Sequence, residues 1–327
     1  MKTVGILFGM ENTFPFALAD SINKQNHPAI RAEVMQLGHQ QVSVPMKYDL
    51  IVDRISQDVP FYRSMLKNAA LTGSFVINNP FWWSADDKFI NCTLAEKVGV
   101  AVPKTVLIPS KERPSNTQET SFRNLMYPLD WEGIFSYLGF PLFMKPYDGG
   151  GWRDVYKIHD REEFWSVYET TGQVVMMLQE AIEFDSYYRC YGVGRQYVHI
   201  MPYEPRNPHH LRYHADPSKL TPALKKRISA DVLKLCTVLG YDLNTVEFAV
   251  RDGIPYAIDF MNPAPDADIK SVTEPNFEWI VGTMTRFLTD LAESNRQPDY
   301  PTPWQQVLGP VGRKPAAKTK STRSAKK

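Results

Sequence analysis

Apolar positions in this chain fall into short unbroken runs separated by stretches of four-residue periodicity. Residues 3–8 read as a buried strand, followed by a turn over 9–12 and a helix from about Phe14 to Asn23. Residues 32–37, 50–53 and 75–78 read as further short strands, with a helix over 59–71. Strands and helices alternating at this spacing predict an α/β layer with a parallel sheet. Next, Ser84 to Asp87 form an S-x-x-D box, Ile90, Leu94 and Val98 recur every four residues, and Gly99 closes a helix. A strand is expected over 104–108, a polar surface insertion over 109–130 and a short helix over 131–138.

The second half continues with strands at 142–144 and 155–158, a helix over 161–169 and a buried strand over 174–178. Antiparallel strands are expected at 187–192 and 197–201. Thr221-Pro222 opens a helix whose stripe is Leu224, Ile228, Val232, Leu235 and Leu239, with Gly240 after its end. Residues 246–250 and 256–260 flank Asp252-Gly253, a strong hairpin signal, and 277–291 forms the last helix. No internal repeat is visible.

At 327 residues the chain is long enough for two or three subdomains. No apolar run approaches a membrane span. Lys2, residues 4–8 and Ala17-Leu18-Ala19 loosely mimic a signal peptide, but Glu11 and Asn12 interrupt the apolar region, so a first strand fits better. Cys92, Cys190 and Cys236 match neither a disulfide framework nor a zinc spacing, and read as reduced thiols of a cytoplasmic protein. The net charge of +1 hides an asymmetry: from Arg313 onward there are seven basic residues and no acidic one, so removing those seven charges leaves residues 1–312 at −6. Residues 301–327 are expected to be a disordered basic tail, whose weak contact is the only opening for nucleic acid beside a mildly acidic body.

Two stretches carry candidate chemistry. Residues 142–144 run into Lys145-Pro146 and then Gly149, Gly150 and Gly151. Glycines let backbone N–H groups approach an anion closely, and Lys145 adds a positive charge, which suggests phosphate. A glycine hairpin beside a solvent-exposed lysine is the alternative. Neither a Walker loop nor a G-x-G-x-x-G turn occurs, so P-loop and NAD binding are set aside. The second stretch is the 246–262 hairpin, where Glu247, Asp259 and Asn262 would suit Mg²⁺ if their oxygens converge. In the alternative, Glu247 and Asp259 lie on opposite faces, one salt-bridged and one capping a turn. Lys88, in the first turn of its helix, sits where the dipole disfavours a cation.

In this order the parts resemble the ATP-grasp superfamily of carboxylate–amine ligases, which includes D-alanine–D-alanine ligases, glutathione synthetases and ribosomal-protein glutamate ligases. The resemblance spans roughly residues 1–290 and rests on Asp87-Lys88 with Leu94, Gly99-Val100 and Pro103, on Phe140 to Pro146 with Gly149–Gly151, on Gln179-Glu180-Ala181-Ile182, on Arg189, and on Glu247, Asp259 and Asn262. It implies an α/β, overall α+β, architecture: an N-terminal parallel domain (1–84), a central subdomain with a glycine lid (85–180) and a C-terminal subdomain with the metal site (181–300), the last two sandwiching ATP. Lys88, Lys145, the three glycines and Arg153 are then phosphate contacts, and residues 179–182 hold adenine. Arg189 and Lys145 are catalytic, and Glu247, Asp259 and Asn262 hold Mg²⁺, with Mn²⁺ a permitted substitute.

The chain departs from the family at three points. Tyr187 stands where an acidic ribose contact is usual, which leaves Glu183 or Asp185 to replace it. Trp152 and Arg153 follow the glycines where smaller residues are common, and the usual acid-x-Asn ending is one residue longer, Asp259 to Asn262. The implied activity joins a carboxylate to an amine through an acyl phosphate, both substrates being small molecules. A non-catalytic ATP sensor and a small-molecule phosphotransferase are the alternatives on the same fold, and a homo-oligomer is compatible with it. On the acceptor side Arg206 and Arg212 suit a carboxylate, and Asp266 and Asp268 an ammonium group. His209, His210 and His214 share that stretch. The last two have i, i+4 spacing, but the flanking prolines argue against a metal-binding helix.

Overall fold

The computed structural model describes residues 1–81, 87–214, 216–294 and 296–300, apart from the side chains of His209 and His214. Ser84, the proposed boundary at 84/85 and the basic tail lie outside the described residues. Three four-stranded sheets organise the chain. In the first, β1 (Lys2–Leu7), β2 (Ile30–Val34), β3 (Leu50–Asp53) and β4 (Phe75–Ile77) run parallel in the order β2-β1-β3-β4. Helices α1 (Phe14–Lys24) and α2 (Pro60–Leu71) make the crossovers. Both faces of this sheet are covered, which is why its strands read as continuous apolar runs.

The second sheet is antiparallel, with order β5-β8-β6-β7 from β5 (Thr105–Ile108), β6 (Leu142–Pro146), β7 (Tyr156–Ile158) and β8 (Met176–Glu180). Helices α4 (Trp131–Leu138) and α5 (Arg161–Tyr168) pack on one side through Phe135, Leu138, Phe164 and Tyr168. Between β5 and α4 the polar insertion forms only a 3₁₀ turn, Glu119–Phe122. Strand β8 starts and ends two residues later than the apolar run predicts. Val174 is taken up in a turn bonded to Thr171, and polar Gln179 enters the strand because its side chain has a buried partner there.

The third sheet, also antiparallel, has order β10-β9-β11-β12: β9 (Ser186–Val193), β10 (Tyr197–Pro202), β11 (Leu243–Arg251) and β12 (Ile254–Asp259). Asp252 and Gly253 both have positive φ, 54° and 74°, the backbone of a tight primed turn between β11 and β12. One face carries Tyr188, Cys190, Val246 and Phe248 against Ile228, Val232 and Leu235 of α6 (Pro222–Val238). Tyr187, Tyr191 and Ala249 lie on the other face. They share a core with α1, the four-residue α7 (Ile269–Val272) and α8 (Glu274–Glu293) that continues into the first sheet.

Helix α3 (Lys88–Lys97) is capped by Asp87, whose carboxylate accepts from the N–H groups of Phe89 and Ile90. Its buried face is Asn91, Cys92 and Ala95, with Leu94 and Val98 of the four-residue stripe packed against the same core and Ile90 half exposed.

Asn78 joins the first and third sheets. Its amide nitrogen donates to the carbonyls of Leu243 (2.7 Å) and Pro263 (3.3 Å), and its oxygen accepts from the N–H groups of Asp242 and Leu243, both at 2.8 Å. Asn78→Ala would strand these buried groups, and we expect it to lower unfolding stability by about 2–3 kcal/mol. Urea denaturation measures this, and a loss below about 0.5 kcal/mol would show that water replaces the clamp.

Candidate active site

Alternation along β9 and β11 sends Arg189 and Glu247 to the same sheet face as Tyr187 and Ala249. Glu247 pairs directly with Arg189 on one side and with Asp259 on the other. The second pairing depends on a bulge: the register shifts between Glu247 and Phe248, so Ile258 is the extra residue and Asp259, not Ile258, stands opposite Glu247. Arg189, Glu247 and Asp259 therefore form a row across three strands. The opposite-face alternative does not apply. Asn262 is placed differently. Its N–H donates to Asn244 Oδ1 (2.8 Å), Asn244 Nδ2 donates to the Phe260 carbonyl (2.9 Å), and Asn262 is not in the cavity wall. Among the described residues no three His, Cys, Asp or Glu side chains cluster as metal ligands.

Facing this row across a cavity of about 910 Å³ is the central sheet. Lys145 is buried, and its ammonium donates to Gln179 Oε1 at 2.9 Å. Burial holds its pKa down and nearby Lys88 adds to that, while Asp259 and Glu247 pull the other way. The Lys88 N–H donates to the Tyr147 carbonyl (2.8 Å) and its ammonium to the Gly149 carbonyl, which ties the start of α3 to the glycine loop. That tether accounts for a cation at a helix start. Gly149 and Gly151 have φ of 78° and 74°, so backbone conformation, not space, calls for glycine there.

The cavity wall includes Lys88, Lys145, Gly149–Gly151, Arg153, Gln179–Glu183, Arg206, Glu247 and Asp259. Arg189, Asp185, Arg212, Asn262, Asp266 and Asp268 lie outside it. Glu180 is committed to Arg251 (2.9 Å), and the N–H groups of Glu180 and Ala181 donate to Lys104 and Pro141. The Asp185 N–H donates to Val250, whereas Glu183 opens into the cavity. Arg206 forks onto Glu204 at 2.7 and 2.6 Å. Arg212 donates to the Asn207 carbonyl and the Tyr203 hydroxyl, with Trp152 5.7 Å away over its guanidinium. Asp266 accepts from the Asp268 N–H and the Ser271 hydroxyl, and Asp268 caps α7.

The arrangement superposes on several solved structures. Over 89% of this chain and 96% of the other, it superposes on D-alanine–D-alanine ligase from Bacillus anthracis complexed with ATP, with TM-score 0.61 and 17% identity. A RimK domain protein ATP-grasp from Sphaerobacter thermophilus matches over 87% and 98%, at TM-score 0.60 and 16% identity. VanG D-Ala:D-Ser ligase from Enterococcus faecalis matches over 89% and 99%, at 0.60 and 15%. The chain has the ATP-grasp fold. Human mitochondrial pyruvate carboxylase is 30% identical over 137 residues, which is 37% of this chain and only 12% of that protein's length. No family model matches the sequence.

Within the ATP-grasp fold of this chain, sequence reading missed the role of Tyr187. Its hydroxyl donates to Glu247 Oε2 at 2.6 Å, while Arg189 Nη1 lies 3.7 Å from Oε1. The register pairing Ala249 with Tyr187 beside Glu247 was the only available signal, and it needs the sheet. Burial raises the Glu247 pKa and Asp259 adds to this, while Arg189 and Tyr187 lower it. Because the folded pKa lies above the unfolded 4.5, the stability linked to Glu247 is present below pH 4.5 and is lost as pH rises through the folded value. Tyr187→Phe removes a donor to the carboxylate and raises that pKa further. We expect the variant to be about 1–2 kcal/mol less stable at pH 8, with the gap closing near pH 4. Denaturant unfolding at both pH values checks this, and an equal gap at both would mean the bond does not depend on the charge.

Proposed function

We propose that this protein is an ATP-dependent ligase that joins a small-molecule carboxylate to an amine. The observation that carries this reading is a single cavity that brings a buried lysine and a glycine loop opposite a paired Glu247 and Asp259. Lys145, the glycine N–H groups, Lys88 and Arg153 are suited to neutralise the triphosphate of ATP. Ile182 and Glu183, one step beyond the bonded hinge amides, are the reading's adenine and ribose contacts. Arg206 is its cavity-wall contact to the acceptor.

The residues fit Mg²⁺, or Mn²⁺, on chemical grounds. Two carboxylates set side by side repel one another, and a hard divalent cation with oxygen preference relieves that repulsion. Glu247 and Asp259 would hold it, with Asn262 as a third donor, and the ion would supply charge neutralisation at phosphate oxygens.

The chain's residues then act by positioning and charge. Arg189 and Lys145 stabilise negative charge while a carboxylate oxygen of the acceptor attacks the γ-phosphorus, the bond to the β-bridging oxygen breaks and ADP leaves. The product is an acyl phosphate. The amine nitrogen attacks its carbonyl carbon and loses a proton, and inorganic phosphate departs with the electron pair of the broken C–O bond. The lid over residues 149–153 excludes water from the intermediate.

ATP with Mg²⁺ is expected to raise the melting temperature, by the equivalent of about 2.7 kcal/mol at one hundred times Kd. Lys145→Ala should abolish the shift. No shift in the wild type would end the reading. A screen of amino acids and small carboxylates for ATP-dependent phosphate release, with mass spectrometry of the product, tests the chemistry. An amide supports ligation and a stable phosphorylated acid indicates a phosphotransferase. A thermal shift with no phosphate release indicates an ATP-sensing module.

A further inference from the structure

The loop between β6 and β7 forms one wall of the cavity, and its two ends are held differently. At its base the Lys88 ammonium donates to the Gly149 carbonyl. At its tip Trp152 is 58% exposed, yet it lines the cavity and has the Arg212 guanidinium 5.7 Å from its ring centroid. The contact joins two subdomains, because Arg212 lies in the 3₁₀ segment His209–His214 that follows β10 of the third sheet. Trp152 also has φ of 60°, a conformation that a residue with a side chain keeps only where its surroundings hold it.

Arg212 is set up for this contact. Its Nε–H donates to the Asn207 carbonyl at 3.1 Å and Nη1 to the Tyr203 hydroxyl at 3.4 Å, so these donors are spent on its own segment. It lies outside the cavity wall, and the group it meets across the subdomains is the indole, the ring that attracts a cation most strongly. We propose that Trp152 and Arg212 form a clasp that holds the glycine loop over the cavity in the free protein, so that the loop must release Arg212 before a ligand enters or leaves. The proposal rests on the ligase reading for what passes the loop, and it makes Arg212 a gating residue instead of a contact to the acceptor carboxylate. One cation–π contact at a partly exposed site shifts an equilibrium only a few-fold, weak enough to open in every catalytic cycle.

Limited proteolysis of the full chain tests the clasp without any ligand. Arg153, exposed beside Trp152, is a trypsin site within the loop. At low protease the rate of the cut after Arg153, located by mass spectrometry, tracks the fraction of open loop. Arg212→Ala is expected to speed this cut about two- to fivefold. The same substitution in a Trp152→Ala background should leave the rate unchanged, and in a Trp152→Phe background, which keeps a ring, should speed it again. Comparing within each background cancels any direct effect of residue 152 on trypsin. Equal acceleration with Trp152→Ala would overturn the proposal, since Arg212 would then act by holding its own segment. An unchanged rate after Arg212→Ala alone would overturn it too. Arg212→Gln keeps a side-chain donor for Asn207 while removing the charge, and is expected to repeat the pattern even if alanine loosens the segment. The outcome is separate from the ligase reading: an ATP-induced rise in melting temperature with an uncoupled pair keeps the reading and removes the clasp, and a coupled pair with no ATP shift does the reverse.

Discussion

Glu247 and Asp259 stand side by side on neighbouring strands, one largely buried and the other open to the cavity. Such a pair is held apart from its natural preference by mutual repulsion, and here the compensation comes from three directions. Arg189 sits across the strand boundary, Tyr187 donates a hydrogen bond, and Lys145 reaches the same field from the central sheet. Lys145 is in turn buried with a neutral amide as its bonded partner, which leaves capacity for further acceptors. Positive and negative charges are thus placed on opposite walls of one cavity, each incompletely satisfied. The magnesium nucleotide proposed above would bring a cation to one wall and an anion to the other.

The three sheets divide the labour of holding this balance. The central sheet positions Lys145 and Gln179 on one face because they are diagonal neighbours on β6 and β8. The third sheet positions the acidic row, and its opposite face is fastened to α6 by an apolar core. Among the described residues the parallel sheet contributes no wall to the cavity, but Asn78 clamps it to the start of β11, and a common core runs from α1 through α8 to Tyr191. Rigidity at β11 matters because a one-residue slip there would turn Glu247 into the α6 core.

The glycine loop differs in kind. Trp152 and Asp154 have φ of 60° and 55°, a conformation that costs about 1–2 kcal/mol for a residue with a side chain. Lys88 holds one end of the loop and Arg212 meets Trp152 at its tip. Trp152 is therefore a contact between the glycine loop and the His209–His214 segment.

Local sequence determined much of this. Apolar runs and caps marked most strands and helices to within a few residues, because period-two and near-four patterns record which face is buried. The glycines, Lys145 and the 246–262 hairpin were recognisable because turn chemistry and charge are local properties. What the tertiary structure decided is which of these residues meet. The bulge at Ile258 placed Asp259 beside Glu247, a matter of cross-strand register that no single strand encodes. The backbone N–H of Asn262 is held by Asn244, eighteen residues earlier, and Asp266 and Asp268 were absorbed into turns and caps. Tyr187 looks like an ordinary aromatic core residue along the chain. Its hydroxyl acquires meaning only from Glu247, which comes within hydrogen-bonding reach once the strands have paired.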